Sequence, residues 1–350
     1  MGLVIAGTGR HLPETVVTND DLGRVMDTND EWIRQRTGIH ERHFAADGEG
    51  ASDLGAAAAR RALASARLAP EDLDYVIMAT MTPDHHFPGP AAMVAAKLGL
   101  HSTPCLDVRQ QCASFVYQLQ LAHALMMAGQ ARTILVVGAE AHAGFMPWND
   151  WDYLTGKGGS APDEAAFARA TEHRGLAILF GDGAGAVVLR RTDDDRRGVV
   201  GVDVHSDGRH FEEIHIPSGF TRRPYQTAEM VQNDLHIPRM KGRELFKLAV
   251  TRLPASVRAL CHKTQTRLED IDLFVAHQAN DRINGAVRNA LELPAEKVPS
   301  NIAKLGNTSS ATIPILLDEL AEQGRLGPDQ LICFLALGAG LHWGSALLRT

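Results

Sequence analysis

The sequence predicts an α/β protein made of two duplicated halves stacked as five layers, α/β/α/β/α. Three observations lead there. A helix–turn–strand pattern occurs twice: Arg61-Ala-Leu63, Glu71-Asp-Leu-Asp74 and Tyr75-Val-Ile-Met-Ala79 are matched by Arg258-Ala-Leu260, Glu269-Asp-Ile-Asp272 and Leu273-Phe-Val-Ala276. Gly185-Ala-Val-Val-Leu-Arg190 is matched by Gly344-Ser-Ala-Leu-Leu-Arg349. Two matched pairs in the same order point to a repeat. Finally, short apolar runs such as 133–137 and 331–335 alternate with helical patterns, which implies sheets covered by helices. The halves are expected at 1–190 and 198–350, joined by the polar surface link Asp193-Asp-Asp-Arg-Arg-Gly198.

Each element follows from local pattern. Residues 75–79, 105–108 and 273–276 read as buried strands. From Ala113 to Ala128, apolar residues recur at helical spacing, and Gly129 ends the run. Residues 145–174 fit poorly. They carry Trp148, Trp151 and Tyr153, a glycine-rich stretch, and a short helix expected over 165–170. Such a loop is a lid or a partner surface more readily than plain disorder.

Composition bounds the function. The 350 residues are 45% hydrophobic and 22% charged, which is ordinary for a globular chain. A net charge of -7 argues against a broad nucleic-acid-binding face, so an anionic partner must meet a local basic patch. Cys105, Cys112, Cys261 and Cys333 lack both metal-ligand spacing and disulfide-scaffold density, so a cytoplasmic protein with reduced thiols is expected. No stretch reads as a signal peptide or a membrane span. Gly7-Thr-Gly9 lacks the third glycine of a dinucleotide fingerprint, and His85-His86 and His210…His215 lack metal-ligand spacing. No metal and no permanently bound cofactor are expected.

Cys112 is the first candidate for chemistry. It stands between a buried strand and a helix, where free N–H groups and the helix dipole lower a thiol pKa. On local context an inert buried cysteine is equally compatible. His277, in His277-Gln-Ala-Asn280, follows the second copy of the repeated strand, and Asn307, in Leu305-Gly-Asn307-Thr-Ser-Ser-Ala311, opens another helical run. Duplicated halves would bring such strand ends to one cleft. A papain-like protease also runs Cys, His, Asn, but Gln110-Gln-Cys112-Ala lacks its nucleophile signature.

Several longer motifs carry a resemblance. These are Asp27-Thr-Asn-Asp-Glu-Trp32-Ile-Arg-Gln-Arg36-Thr-Gly-Ile39, Phe180-Gly-Asp-Gly-Ala-Gly185, His277-Gln-Ala-Asn280, Gly306-Asn307-Thr-Ser and Trp343-Gly-Ser-Ala346. With them the chain resembles, over nearly its whole length, the β-ketoacyl-acyl-carrier-protein synthase III family of thiolase-fold condensing enzymes. The resemblance implies the duplicated five-layer fold, assembled as a homodimer. It implies transfer of an acyl group from acyl-CoA to Cys112, then decarboxylative condensation with malonyl-acyl carrier protein in fatty acid biosynthesis. His277 and Asn307 would donate hydrogen bonds to the malonyl thioester oxygen, and the N–H groups of Cys112 and Ala339 would form an oxyanion hole. Thr28, Trp32, Arg36, Arg174, Phe246 and Asn280 match coenzyme A-contacting positions, with the adenine between Trp32 and Arg174. Lys247 and Arg282 match carrier-protein docking positions.

The chain also departs from the family pattern. Arg243 stands where the family has asparagine, Ser114 follows Cys-Ala, Leu337 replaces a bulky phenylalanine, and Ala339 interrupts Gly-Gly-Gly. The 145–174 segment is longer than in the plain housekeeping type. Phe87 keeps an aromatic that in some relatives enters the partner subunit's acyl pocket. Leu337 and Phe87 are therefore the acyl-pocket candidates, and primers longer than acetyl are the expectation. A thiolase-fold acyltransferase, or a condensing enzyme of secondary metabolism, is the alternative.

Overall fold

Two sheets carry the duplication in the computed structural model, which describes residues 2–350. The first sheet holds β1 (Gly2–His11), β2 (Tyr75–Ala79), β3 (Cys105–Val108), β4 (Thr133–Glu140) and β5 (Gly183–Thr192), in the order β1-β5-β4-β2-β3. The second holds β6 (Gly198–Ser206), β7 (Leu273–Ala276), β8 (Leu331–Gly338) and β9 (His342–Arg349), in the order β7-β8-β9-β6. The pairs β2/β4 and β7/β8 are parallel; β4/β5, β5/β1, β8/β9 and β9/β6 are antiparallel. Strands β1, β2, β4 and β5 thus correspond to β6, β7, β8 and β9. Strand β3 has no counterpart and lies at a sheet edge.

The repeated aspartate-rich turn has a structural cause. The Asp74 N–H donates to the Thr133 carbonyl at 2.9 Å, and its carboxylate accepts the Thr133 N–H at 2.9 Å. The Asp272 N–H donates to the Leu331 carbonyl at 2.9 Å, and its carboxylate accepts the Leu331 N–H at 2.7 Å. Each aspartate starts a parallel pair. The helical part of the repeat is shifted by one residue from the sequence match. Arg60 donates to the Lys97 carbonyl and Arg258 to the Ala290 carbonyl, both at 2.6 Å, each satisfying the end of a neighbouring helix. Arg60, rather than Arg61, is therefore the equivalent of Arg258.

Seven helices complete the frame: α1 (Asp30–Thr37), α2 (Ala51–Ala66), α3 (Pro90–Lys97), α4 (Ser114–Met127), α5 (Gly242–Thr264), α6 (Asp281–Ala290) and α7 (Thr312–Glu322). Helices α2 and α3 cover the outer face of the first sheet, with Leu54 and Val94 in one core with Val76, Met78 and Val137. Helices α4 and α7 fill the space between the sheets, with Phe115, Leu119, Ile313 and Leu317 packed among Ile77, Val136, Val275 and Phe334. Helices α5 and α6 cover the second sheet, with Val257 and Val287 in the core formed by Phe274, Cys333 and Leu335. Period-2 alternation sends Val76 and Met78 outward and Ile77 inward, so both faces of the strand are buried. Burying each such side chain contributes about 1.5–3 kcal/mol.

The awkward 145–174 segment is packed. Trp148 and Leu154 are buried in a satellite core with Phe44 and Ile33, and the Trp148 and Trp151 rings meet edge-on at 5.4 Å. The helix expected over 165–170 spans Glu164–Glu172, capped by Asp163, whose side chain accepts the Ala166 N–H at 2.8 Å. Gly7 and Gly9 lie in β1 against Ala62 of α2, where a Cβ would collide, so their small size serves helix packing. Cys261 and Cys333 are core residues as expected, but Cys105 is half-buried on the edge strand β3. Among the described residues no helix is long and apolar enough to cross a membrane.

Candidate active site

Two symmetry-related turns build the site. Cys112 lies in the turn Gln111–Ala113 between β3 and α4, and the turn Ser309–Ala311 precedes α7 in the same way. Each turn begins on a non-glycine residue in the left-handed region, Gln111 at φ 50° and Ser309 at φ 47°, separated by the same sequence offset as Asp74 and Asp272. Each packs on the opposite sheet. A Cβ on Gly338, at the end of β8, would meet Gln110 O at 2.6 Å, Ala113 N at 2.7 Å and Cys112 N at 2.9 Å. A Cβ on Gly138 of β4 would press on the Ser310 carbonyl. Glycine at both positions lets the turns cross over and converge.

Their meeting point is a cavity of about 570 Å³ lined by Cys112, His277 and Asn307, with Leu337 and Ala339 beside them. Cys112 Sγ lies 3.2 Å from Ser309 Oγ. His277, just beyond β7, places Nδ1 2.7 Å from the Thr312 hydroxyl. The Ser309 N–H donates to Asn307 Oδ1 at 2.8 Å, so the amide NH2 of Asn307 is left free to donate. The Asn307 N–H in turn donates to the Leu179 carbonyl at 2.8 Å.

The electrostatics correct one expectation. Cys112 touches the cavity, yet burial in the surrounding protein pushes its thiol up to about 12; the Ser309 hydrogen bond opposes the rise and the nearby Glu140 charge adds to it. Helix α4 begins only at Ser114, two residues beyond Cys112. Burial likewise lowers His277 to about 3 and keeps its imidazole neutral. The resting pair is a thiol and a neutral imidazole, unlike the ion pair of papain-like proteases.

Glu140 went unnoticed in the sequence. It is fully buried, pairs with no cation among the described residues, and accepts from Ser310 Oγ at 2.6 Å, Thr82 Oγ1 at 2.7 Å and the Met81 N–H at 3.0 Å. A glutamate ending an apolar run was the one available signal. It holds the Ser309–Ala311 turn to the first sheet.

The cavity mouth carries the charge. Trp32 of α1 has the Arg36 guanidinium 4.1 Å and the Arg174 guanidinium 4.7 Å from its ring centre, and Arg174 also pairs with Asp27 at 3.2 Å. An adenine between Trp32 and Arg174 needs about 3.5 Å on either side, so Arg174 must swing away to admit one. Phe246, Arg243 and Arg282 line the cavity. Among the described residues Arg36, Arg243 and Arg282 form no salt bridge. Asn280 lines the cavity with both ends of its amide engaged: Nδ2 donates to the Arg36 carbonyl at 3.0 Å, and Oδ1 accepts the Arg282 N–H at 2.9 Å, capping α6. It brackets α1 to α6 and keeps one N–H of the amide for a ligand.

Four expected residues are not among those lining the cavity, Arg174 beside Trp32 being the first. Lys247 is held by Glu244 at 2.9 Å. Thr28 has a buried hydroxyl with no partner. Phe87 is 79% exposed, so any acyl-pocket role for it needs a second copy of the chain.

Comparison with known proteins decides the family. Models for 3-oxoacyl-[acyl-carrier-protein] synthase III match residues 165–208 and, for its C-terminal part, 261–350; a thiolase N-terminal domain model matches 34–144. The chain is 41% identical over 349 residues to the β-ketoacyl-[acyl-carrier-protein] synthase III of Rhodospirillum centenum, covering 99% of this chain and 98% of the relative. The chain belongs to the β-ketoacyl-[acyl-carrier-protein] synthase III family. The crystal structure of the Aquifex aeolicus 3-oxoacyl-[acyl-carrier-protein] synthase III superposes with a TM-score of 0.85 at 37% identity, over 100% of both chains. The priming β-ketosynthase of the R1128 polyketide pathway superposes at 0.83 with 30% identity, over 99% of this chain and 96% of that one. The synthase III family uses the thiolase-like fold, whose five layers are those described above.

Proposed function

We propose that this chain is a β-ketoacyl-acyl-carrier-protein synthase III that takes an acyl group from acyl-CoA onto Cys112 and condenses it with malonyl-acyl carrier protein. The convergence of Cys112, His277 and Asn307 on one cavity with an unpaired guanidinium mouth carries this reading. Arg36 and Arg243 meet the coenzyme's phosphates, and Arg282 the acidic carrier protein, in a chain whose net charge is -7. Cys112 Sγ attacks the thioester carbonyl, the N–H groups of Cys112 and Ala339 hold the oxyanion, and the coenzyme leaves as a thiol carrying the cysteine's proton.

Malonyl-acyl carrier protein then enters. Its carboxylate departs as carbon dioxide, and the enolate oxygen collects negative charge. Asn307 donates its NH2 to that oxygen. His277 donates from Nε2 when the Thr312 hydroxyl donates to Nδ1. In the resting site that hydroxyl donates its one hydrogen to the Ser309 carbonyl at 3.0 Å, which can only accept, so Nδ1 carries the imidazole proton toward Thr312 at 2.7 Å. For His277 to donate from Nε2, the hydroxyl must turn from Ser309 to Nδ1 as the imidazole proton moves to Nε2. The enolate carbon attacks the Cys112 thioester, and the 3-oxoacyl carrier protein leaves with the Cys112 thiol restored.

Finer features belong to the same proposal. Leu337 lines the cavity where the family has a larger ring, which supports primers longer than acetyl. The unpaired outer edge of β3 and the exposed Phe87 support a homodimer. Four free cysteines, two of them buried, support a reducing cytoplasmic location.

The test is intact-protein mass spectrometry with acetyl-, butyryl-, octanoyl- and decanoyl-CoA, followed by malonyl-acyl carrier protein, with Cys112→Ala as control. An adduct on Cys112 that is lost on malonyl addition, with 3-oxoacyl carrier protein formed, is the expected result. An adduct that persists would instead make the enzyme an acyltransferase with an alcohol or amine acceptor.

A further inference from the structure

Ser309 touches Asn307 and Cys112 and reaches His277 through Thr312. Its N–H donates to Asn307 Oδ1 at 2.8 Å, its carbonyl lies 3.0 Å from the Thr312 hydroxyl that meets His277, and its own hydroxyl is 3.2 Å from Cys112 Sγ. It is fully buried and held at φ 47°, a region that disfavours a side chain. The neighbouring Ser310 anchors it through Glu140 and through the Ala79 carbonyl at 3.1 Å. A left-handed turn needs no hydroxyl, and glycine would fit it with less strain. The hydroxyl's other contact is Met81 Sδ at 3.3 Å, a weak acceptor.

We propose that Ser309 is a further catalytic residue, whose hydroxyl turns from Met81 to donate a hydrogen bond to the Cys112 sulfur as its proton leaves. The inference rests on the acyl-transfer reading above. As the S–H bond breaks, the Ser309 O–H rotates to the sulfur and supports the developing thiolate. The sulfur then bonds the acyl carbon, the carbon–sulfur bond to the coenzyme breaks, and the cysteine proton ends on the released coenzyme A thiol. Nothing is oxidised or reduced. The direction agrees with the electrostatics, in which this contact opposes the rise that burial imposes on the thiol.

The experiment compares Ser309→Gly and Ser309→Ala with the parent enzyme. Glycine keeps the left-handed turn and removes only the hydroxyl. Alanine removes the hydroxyl and keeps the strain. Two rates are read: iodoacetamide alkylation of Cys112 from pH 7 to 9, and single-turnover acylation by acyl-CoA. A hydrogen bond to a charged sulfur predicts both rates lower by roughly 10- to 100-fold in both variants, with the alkylation line displaced in parallel at every pH. Rates within two-fold of the parent in the folded glycine variant would overturn the proposal. A parent enzyme that alkylates but never acylates would overturn the acyl-transfer reading instead, so the two failures are distinct.

Discussion

Gly338→Ala tests how closely the nucleophile's turn is held by the opposite half. The new Cβ would stand 2.6 Å from Gln110 O, 2.7 Å from Ala113 N and 2.9 Å from Cys112 N. These are backbone atoms, so no side chain can fold out of the way. Ordinary contact begins near 3.4 Å, so the turn must retreat by about 0.8 Å. Overpacking of this kind costs about 1–3 kcal/mol of stability. The catalytic cost is larger, because a shift near 1 Å in a reacting group lowers rates by roughly 100-fold. Single-turnover acylation of Cys112 should therefore fall by about two orders of magnitude in a protein that still melts cooperatively. Gly138→Ala is the matched control, since its Cβ presses on the Ser310 carbonyl in the other turn. There, malonyl decarboxylation, which needs Asn307, should fall at least as far as acylation, which needs the Ser309 hydroxyl. A Gly338→Ala enzyme that acylates at the parent rate would refute the claim that this contact positions the nucleophile.

Other perturbations separate the remaining parts. Thr312→Val removes the partner of His277 Nδ1 and should slow condensation by roughly ten-fold, with acylation nearly unchanged and Thr312→Ser restoring it; equal losses in both steps would argue against the tautomer assignment. His277 is lowered to about 3 by burial against 6.5 in the unfolded chain, so between these values the unfolded state binds the extra proton. Stability should accordingly fall as pH drops below about 6.5, by up to about 2 kcal/mol at pH 5 from this residue; urea titrations of the parent and His277→Asn should show the acid loss reduced in the variant. Arg243→Asn should raise KM for acyl-CoA by roughly two- to five-fold at low salt and leave acyl-pantetheine unaffected, whereas a change confined to malonyl-acyl carrier protein would move Arg243 to the docking surface.

Much of this was legible in the chain itself because duplication repeats local signals. The Asp74 and Asp272 turns, the strands that follow them and the 113–128 helix are set by short-range pattern, and their places agree with the sequence to within a residue or two. The one-residue slip at Arg61 arose because the true match lies in what Arg60 and Arg258 bond, and those acceptors sit on other helices. Cys112, His277 and Asn307 were readable as strand-end residues of matching halves. The thiol's raised pKa was not, because a local rule sees the helix end while burial is a property of the whole fold. The bonds Asn280 makes to the Arg36 carbonyl and to the Arg282 N–H were hidden for the same reason, since Arg36 is distant in sequence.

The crossing of the two turns explains how a repeat yields an asymmetric site. Gln111 and Ser309 hold the same left-handed backbone, and the next residue is Cys112 in one half and Ser310 in the other. One copy thus presents a nucleophile to the cavity. The other spends its side chain on Glu140 and so fixes the backbone that orients Asn307. Each turn rests on a glycine of the opposite sheet, so neither half can place its own groups alone. That requirement ties folding to function. A substitution that loosens the contact between the halves should reduce acylation and condensation together, before it exposes either sheet to solvent.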